Sequence, residues 1–173
     1  MQIVSGAMLG SIRRFRDLSA DVLGWEIPRA STPEEAIERT ARMLVEAPPC
    51  WERVRPFVRF DDRGYTRTVL CRSPRWELVA VGWLPGQRSA IHDHGRSSGA
   101  VLAVHGALVE RRYLHRDGAL SPGGTRWIHE GEVFVEHPGS IHQVENDSRA
   151  PAATLHVYLP ALTRMSTFDD ARR

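Results

Sequence analysis

The sequence predicts a mainly β domain, folded as a small barrel with short helices packed outside it on the N-terminal side. Two observations carry the barrel. From about Pro56, short apolar runs rich in Val, Leu, Trp and Tyr alternate with Gly, Pro, Asp and Arg turns. Two glycine-flanked, histidine-bearing stretches, residues 86–94 and 131–146, lie in different halves of that region, as two similar halves of one barrel would place them. A third observation carries the helices: before Pro56 the apolar residues recur at helical spacing. With 173 residues and 42% hydrophobic content, the chain is one domain's worth of protein, a helical segment over 1–55 packed on a barrel over 56–173.

Residues 1–10 read as a loosely packed start. Ile12, Phe15, Leu18 and Val22 then predict a short amphipathic helix over 11–23, which Gly24 stops. Ser31-Thr32-Pro33-Glu34-Glu35 opens a second helix with a hydroxyl cap, a proline at the first helical position and acids in the first turn. Ala36, Ile37, Thr40, Met43 and Leu44 continue one face until Pro48-Pro49. Strands are expected over 65–71, 76–84, 89–94, 99–105, 108–113, 127–130, 133–136, 143–146 and 153–159.

Composition excludes several classes of function. The net charge is +2, and all 23 basic residues are Arg, scattered without a run that would mark a nucleic-acid arm or a polybasic membrane patch. No partner of either kind is expected. The N-terminus is too short and too polar for a signal peptide, and no apolar run is long enough for a membrane span. Cys50 and Cys71 lack the close spacing of a zinc site and read as two buried or half-buried thiols, which fits a reducing cytoplasm. No long apolar surface stripe stands out, so a monomer is expected.

The chemistry concentrates in the histidines. Residues i and i+2 of a strand point to one face, so an extended His92-Asp93-His94 presents both imidazoles together, just after the Pro85-Gly86 turn. His142 lies in the second stretch and reads as a third metal ligand. His105, His115 and His129 read as structural or solvated. Imidazoles suit Fe, Zn, Cu and Ni alike, and three of them leave coordination positions open, which points to catalysis rather than to a closed structural site.

These spacings resemble the two motifs of the cupin superfamily. Gly86, His92, Asp93, His94 and later Gly106 resemble the first motif; Gly131, Gly139, His142 and Asn146 resemble the second, with Pro138 one place late. The resemblance implies a cupin double-stranded β-helix, a jelly-roll barrel. The glutamate ligand of the first motif would fall near Gly99, which has no side chain to ligate with, so the site is expected to hold three His and no carboxylate.

The flanking residues resemble one family within that superfamily. Tyr65-Thr66-Arg67, Trp83, Ile91-His92-Asp93-His94, His142-Gln-Val-Glu-Asn146 and Thr154-Leu-His156-Val-Tyr158-Leu-Pro160, in this order, resemble the cysteine dioxygenase family of thiol dioxygenases. The resemblance implies Fe(II) held by His92, His94 and His142, a small thiol and O2 as substrates, and addition of both oxygen atoms to sulfur. It implies that Arg67, with Tyr65 beside it, binds the substrate carboxylate through its guanidinium fork. Related thiol dioxygenases that prefer an amine-free substrate usually carry Gln there, so Arg67 favours L-cysteine and cysteine sulfinate as product.

Thr154, His156 and Tyr158 alternate on one strand and share a face. The resemblance makes them a hydroxyl–His–Tyr relay, with Thr154 where Ser is usual and Tyr158 bonding to bound oxygen or the substrate carboxylate. Mammalian members carry a cysteine cross-linked to that tyrosine. Gly99 stands at the matching position here, so Tyr158 is expected to be uncross-linked. Leu159 precedes Pro160 where the family usually has Ser, and a cis bond there is suggested by resemblance alone. Trp83, Ile91 and Val144 read as core or pocket wall. Two rival readings are a dioxygenase of another small thiol carboxylate such as 3-mercaptopropionate, and a metal-binding cupin without thiol oxygenase chemistry.

Overall fold

The structure is a computed structural model that describes residues 19–169. Three helices come first: α1 (Ser19–Leu23), α2 (Pro33–Glu46) and α3 (Trp51–Val54), the last continuing into a 3-10 turn, Arg55–Phe57. The strands are β1 (Thr66–Arg72), β2 (Glu77–Trp83), β3 (Ile91–His92), β4 (Ser98–His105), β5 (Ala107–Arg116), β6 (Ala119–His129), β7 (Val133–Glu136), β8 (Ile141–Glu145), β9 (Ala152–Leu159) and β10 (Thr167–Phe168). They form two antiparallel sheets, ordered β1-β2-β9-β4-β7 and β10-β3-β8-β5-β6, which face each other as a double-stranded β-helix.

The helix expected over 11–23 lies mostly outside the described residues; α1 is its end, with Val22 and Leu23 buried. The second helix begins where its cap predicts. Thr32 accepts a hydrogen bond from the Glu35 amide at 3.2 Å, and the Glu35 carboxylate accepts one from the Ser31 amide at 3.0 Å. Ala36, Ile37, Thr40 and Leu44 are its buried residues. They pack on the outer face of the first sheet, against Ala100 and Leu102 of β4 and Leu155 and Val157 of β9.

That packing explains why β2, β4 and β9 read as unbroken apolar runs: the first sheet is covered on both faces. In β9, Ala153, Leu155, Val157 and Leu159 face the helices, while Ala152, Thr154, His156 and Tyr158 face the barrel interior. The inner face meets the second sheet through Val79, Val81 and Trp83 against Leu108 and Val144. Cross-strand register then aligns four inward positions in one row, Glu77, Tyr158, Gly99 and Glu136, on β2, β9, β4 and β7.

Four expectations are corrected. β6 runs over eleven residues, although only 127–130 were read as strand. Pro122-Gly123-Gly124 hid it, yet β6 is the edge of its sheet, where a proline is tolerated and a register shift absorbs the glycines. β10 was not anticipated; its two residues pair with Ile91 and His92. β3 is shorter than expected and ends at His92, so His94 lies beyond it. Cys50 is exposed, and only Cys71 is buried. The Leu159–Pro160 bond is cis. Among the described residues, no helix is long and apolar enough to cross a membrane.

Candidate metal centre

His92 and His142 are direct cross-strand partners on β3 and β8, which sets two of the imidazoles side by side. His94 follows in the turn after β3. There Asp93 accepts from the Gly95 amide at 2.9 Å, and the Asp93 amide donates to the Ser166 carbonyl at 3.1 Å, which ties the turn to the segment before β10. Alternation alone therefore does not aim His94; this anchored turn does. The motif residue Asn146 is fully buried, and its side-chain amide donates to the carbonyls of Trp83 at 3.0 Å and Ala150 at 2.8 Å. The Gly86 amide donates to the Asn146 carbonyl at 2.8 Å, so Asn146 locks the two histidine stretches together.

The three rings are buried and converge, with one nitrogen of each within 4.8 Å of the others. Each Nδ1 has an oxygen beside it. That of His92 donates to the Ala90 carbonyl at 2.9 Å, that of His142 to Glu110 Oε1 at 3.2 Å, and that of His94 lies 3.0 Å from Glu136 Oε2. With the ring protons on Nδ1, the Nε2 lone pairs of His92 and His94 face each other at 3.1 Å, and His142 Nε2 is buried without a partner. Lone pairs so disposed call for a cation, and these three donors fit a divalent metal.

The electrostatics treat the rings unequally. Burial holds His92 neutral and, with the His142 charge beside it, lowers its pKa to about 4. Burial opposes the protonated form of His142, but Glu136 and Glu110 outweigh it and raise that pKa. Burial pushes the Glu136 carboxyl up, yet His142 and His94 pull it further the other way and keep it ionised.

Thr154, His156 and Tyr158 form a chain of hydrogen bonds on the inner face of β9. Trp83 Nε1 can only donate, and does so to Thr154 Oγ1 at 3.1 Å. Thr154 has its own proton to give to His156 Nε2 at 2.8 Å. Burial depresses the His156 pKa to about 3, so the ring is neutral, and its Nδ1 proton is donated to Tyr158 Oη at 2.9 Å. The phenol proton is left for the cavity. Burial, with Glu136 nearby, raises the Tyr158 pKa well above the ordinary value, so the group stays a phenol.

The neutral His156 has a measurable consequence. The unfolded chain takes up this proton near pH 6.5 and the folded chain only near 3. Acid in that interval favours unfolding, and His92 adds to it in the same direction. The midpoint of thermal unfolding of the metal-free protein should fall progressively over that range. A flat profile would mean that these rings are charged in the fold.

A profile of the family described as "Cysteine dioxygenase type I" matches residues 44–171. The chain belongs to this family. It is 28% identical over 142 residues to cysteine dioxygenase type 1 of Danio rerio, which covers 78% of this chain and 69% of that one. It is 28% identical over 119 residues to cysteine dioxygenase type 1 of Homo sapiens, which covers 65% of this chain and 60% of the human one. Membership places it in a family of oxidoreductases. The fold is shared with a protein containing a double-stranded β-helix domain from Klebsiella pneumoniae (TM-score 0.53, 20% identity, 68% of this chain and 95% of that one). It is also shared with TT1209 from Thermus thermophilus (TM-score 0.54, 23% identity, 62% of this chain and 94% of that one).

In this member of the cysteine dioxygenase family, one cavity brings together His92, His94, His142, Arg67, Tyr65, His156 and Tyr158. Thr154 lies behind it through His156. Tyr65 stacks on Trp83 with ring centres 4.6 Å apart. The Arg67 guanidinium lies 5.8 Å from the centre of the Tyr158 ring and donates to Glu77 Oε1 at 3.2 Å. Gly99 adjoins the Tyr158 ring, where a Cβ would lie 3.1 Å from it. His105, His115 and His129 lie apart, in ring contact with Trp51, Phe168 and Trp127.

Three residues of this surrounding escaped the sequence reading: Glu77, Glu110 and Glu136, all buried. Glu77 holds Arg67. Glu110 bonds His142 and is itself held by Arg126 at 2.6 Å and Arg112 at 3.1 Å. Glu136 stands two residues after the inward Phe134 on β7 and so shares its face.

Proposed function

We propose that the chain is a thiol dioxygenase that adds both atoms of O2 to the sulfur of L-cysteine, giving cysteine sulfinate, with Fe(II) held by His92, His94 and His142. Its family membership supports the reaction class. The observation that carries the finer reading is the shared cavity: a guanidinium, a phenol proton and three convergent Nε2 atoms line it together.

Fe(II) bound there would supply the Lewis acidity that favours a thiolate and the electrons that ground-state O2 needs. The balance is R–SH + O2 → R–SO2H, with sulfur losing the four electrons that oxygen gains. Arg67 binds the substrate carboxylate and fixes the distance from carboxylate to sulfur; Glu77 spends one N–H of the fork and leaves the others for the ligand. Tyr158 gives its proton to an oxygen in the cavity, oriented by His156 and Thr154. Val81, Trp83 and Val144 form an apolar wall that limits water. A cytoplasmic, monomeric enzyme is part of this reading.

The test is O2 consumption by Fe(II)-reconstituted protein with L-cysteine and 3-mercaptopropionate in parallel, with sulfinate quantified. Uptake matched by cysteine sulfinate supports the reading. Preference for the amine-free thiol moves the substrate. Silence with both, in protein that holds iron, leaves a metal-binding cupin of other function. Tyr158→Phe removes one hydrogen bond to a charged group, about 1.5–3 kcal/mol, and should lower kcat by roughly 10–100-fold with iron content unchanged. Equal kcat would remove Tyr158 from the chemistry.

A further inference from the structure

The sequence expects a centre with no carboxylate, because the position of the first-motif glutamate is Gly99. The structure puts one there from the neighbouring strand. Gly99 and Glu136 are cross-strand partners on β4 and β7. A Cβ on residue 99 would lie 2.8 Å from Glu136 Oε2 and 3.1 Å from the Tyr158 ring. The missing side chain at 99 is therefore the space that the Glu136 carboxylate fills. Its Oε2 lies 3.0 Å from His94 Nδ1 and its Oε1 3.4 Å from His142 Nδ1, yet neither oxygen has an aligned hydrogen-bond donor.

A carboxylate 3% exposed and without such donors is costly unless a positive charge compensates it. Glu110, the other carboxylate on His142, has Arg126 and Arg112 to offset it. Among the described residues, Glu136 is paired with His94 and His142 and with no arginine. Its charge is left facing the two imidazoles.

We propose that Glu136 is the carboxylate of the metal centre, acting through the imidazoles: its charge beside His94 Nδ1 favours the ring proton there and so the Nε2 lone pair toward the metal, while Glu110 does the same for His142, and Glu136 lends the neutral His trio one negative charge. The contacts are to the ring nitrogens opposite the Nε2 atoms, so Glu136 is a positioning residue and not a fourth ligand. The inference rests on the three-histidine reading of the site and adds a charge to it. A site so charged holds a divalent cation more tightly and favours the higher oxidation state of a redox metal.

Glu136→Gln keeps the shape and removes the charge. Metal affinity is measured anaerobically by competition of Co(II) against a chelator, and the iron midpoint potential by redox titration of the reconstituted protein. The expected results are an affinity about 10–100-fold weaker, a Co(II) visible spectrum of unchanged intensity, and a raised midpoint potential. A structural role alone would not raise the potential. Affinity and potential both equal to wild type would overturn the proposal. So would a changed Co(II) intensity, since it would make Glu136 a direct ligand. Should Glu136→Gln fail to fold, Gly99→Ala presses its methyl onto the carboxylate end, which can swing away, and the same three readouts apply with the same signs. Wild-type protein that takes up neither Co(II) nor Fe(II) would instead sink the metal-centre reading on which this rests.

Discussion

His94→Ala should remove metal and O2 consumption together. Structural zinc sites draw roughly 10–16 kcal/mol from four ligands, so one ligand is worth about 3 kcal/mol, more than a hundredfold in affinity. The loss here should be at least that large. His94 is the one ligand held outside a strand, so its turn rather than the sheet bears the change. The barrel should stay folded, because Trp83 and Val144 are buried between the sheets with Val79, Val81 and Leu108. Iron content by elemental analysis and O2 uptake with L-cysteine are read on the same preparation. Retained iron with lost activity would show that His94 serves the substrate instead of the metal.

Arg67→Ala should lower kcat/KM for L-cysteine by roughly 10–100-fold, because a hydrogen bond to a charged group is worth about 1.5–3 kcal/mol. Most of the loss should appear in KM, since the carboxylate is bound before and during reaction alike. The substitution also strips Glu77, which is fully buried and then keeps the Leu162 amide at 3.2 Å and Arg72 at 3.8 Å. Some destabilisation is therefore expected alongside the kinetic effect. Arg67→Gln keeps a donor for Glu77 and separates the two: it should restore most of the stability but not the KM, and should narrow the preference for L-cysteine over 3-mercaptopropionate. Unchanged KM with a lowered melting point would make Arg67 a structural partner of Glu77 only.

The convergence of the three histidines was legible because its signal is local: His-x-His after a turn, and a third histidine before a motif asparagine that the structure shows tying both stretches together. The relay was legible because three polar side chains at i, i+2 and i+4 interrupt an apolar strand. The acids around the site were not. In a sheet covered on both faces, apolar residues mark neither face as inward, so the parity of Glu136 beside Val133 and Val135 was ambiguous until the helices were in place. Glu77 was hidden for the same reason at the start of β2. In the β5–β6 hairpin a signal was present and unused: Asp117-Gly118, both at positive φ, is the pair that a tight hairpin turn favours. Arg67 stood out by its context, but its partner Glu77 is ten residues away along the chain and became visible only through strand pairing.

The two-sided burial of β9 turns that strand into a kind of reading frame. Its odd-numbered residues satisfy the helices and its even-numbered ones face the cavity, and nothing in the backbone distinguishes the two sets. One residue deleted from the loop between β8 and β9, with the hydrogen-bond ladder re-formed one step along, would send Leu155 and Val157 into the cavity and Thr154, His156 and Tyr158 under the helices. Such a frameshift would exchange chemistry for grease without altering a single amino acid of the strand. Length changes in the 147–151 loop, beyond the anchoring Asn146, should therefore be tolerated far less well than substitutions there, and a library that varies both would show it in the surviving clones.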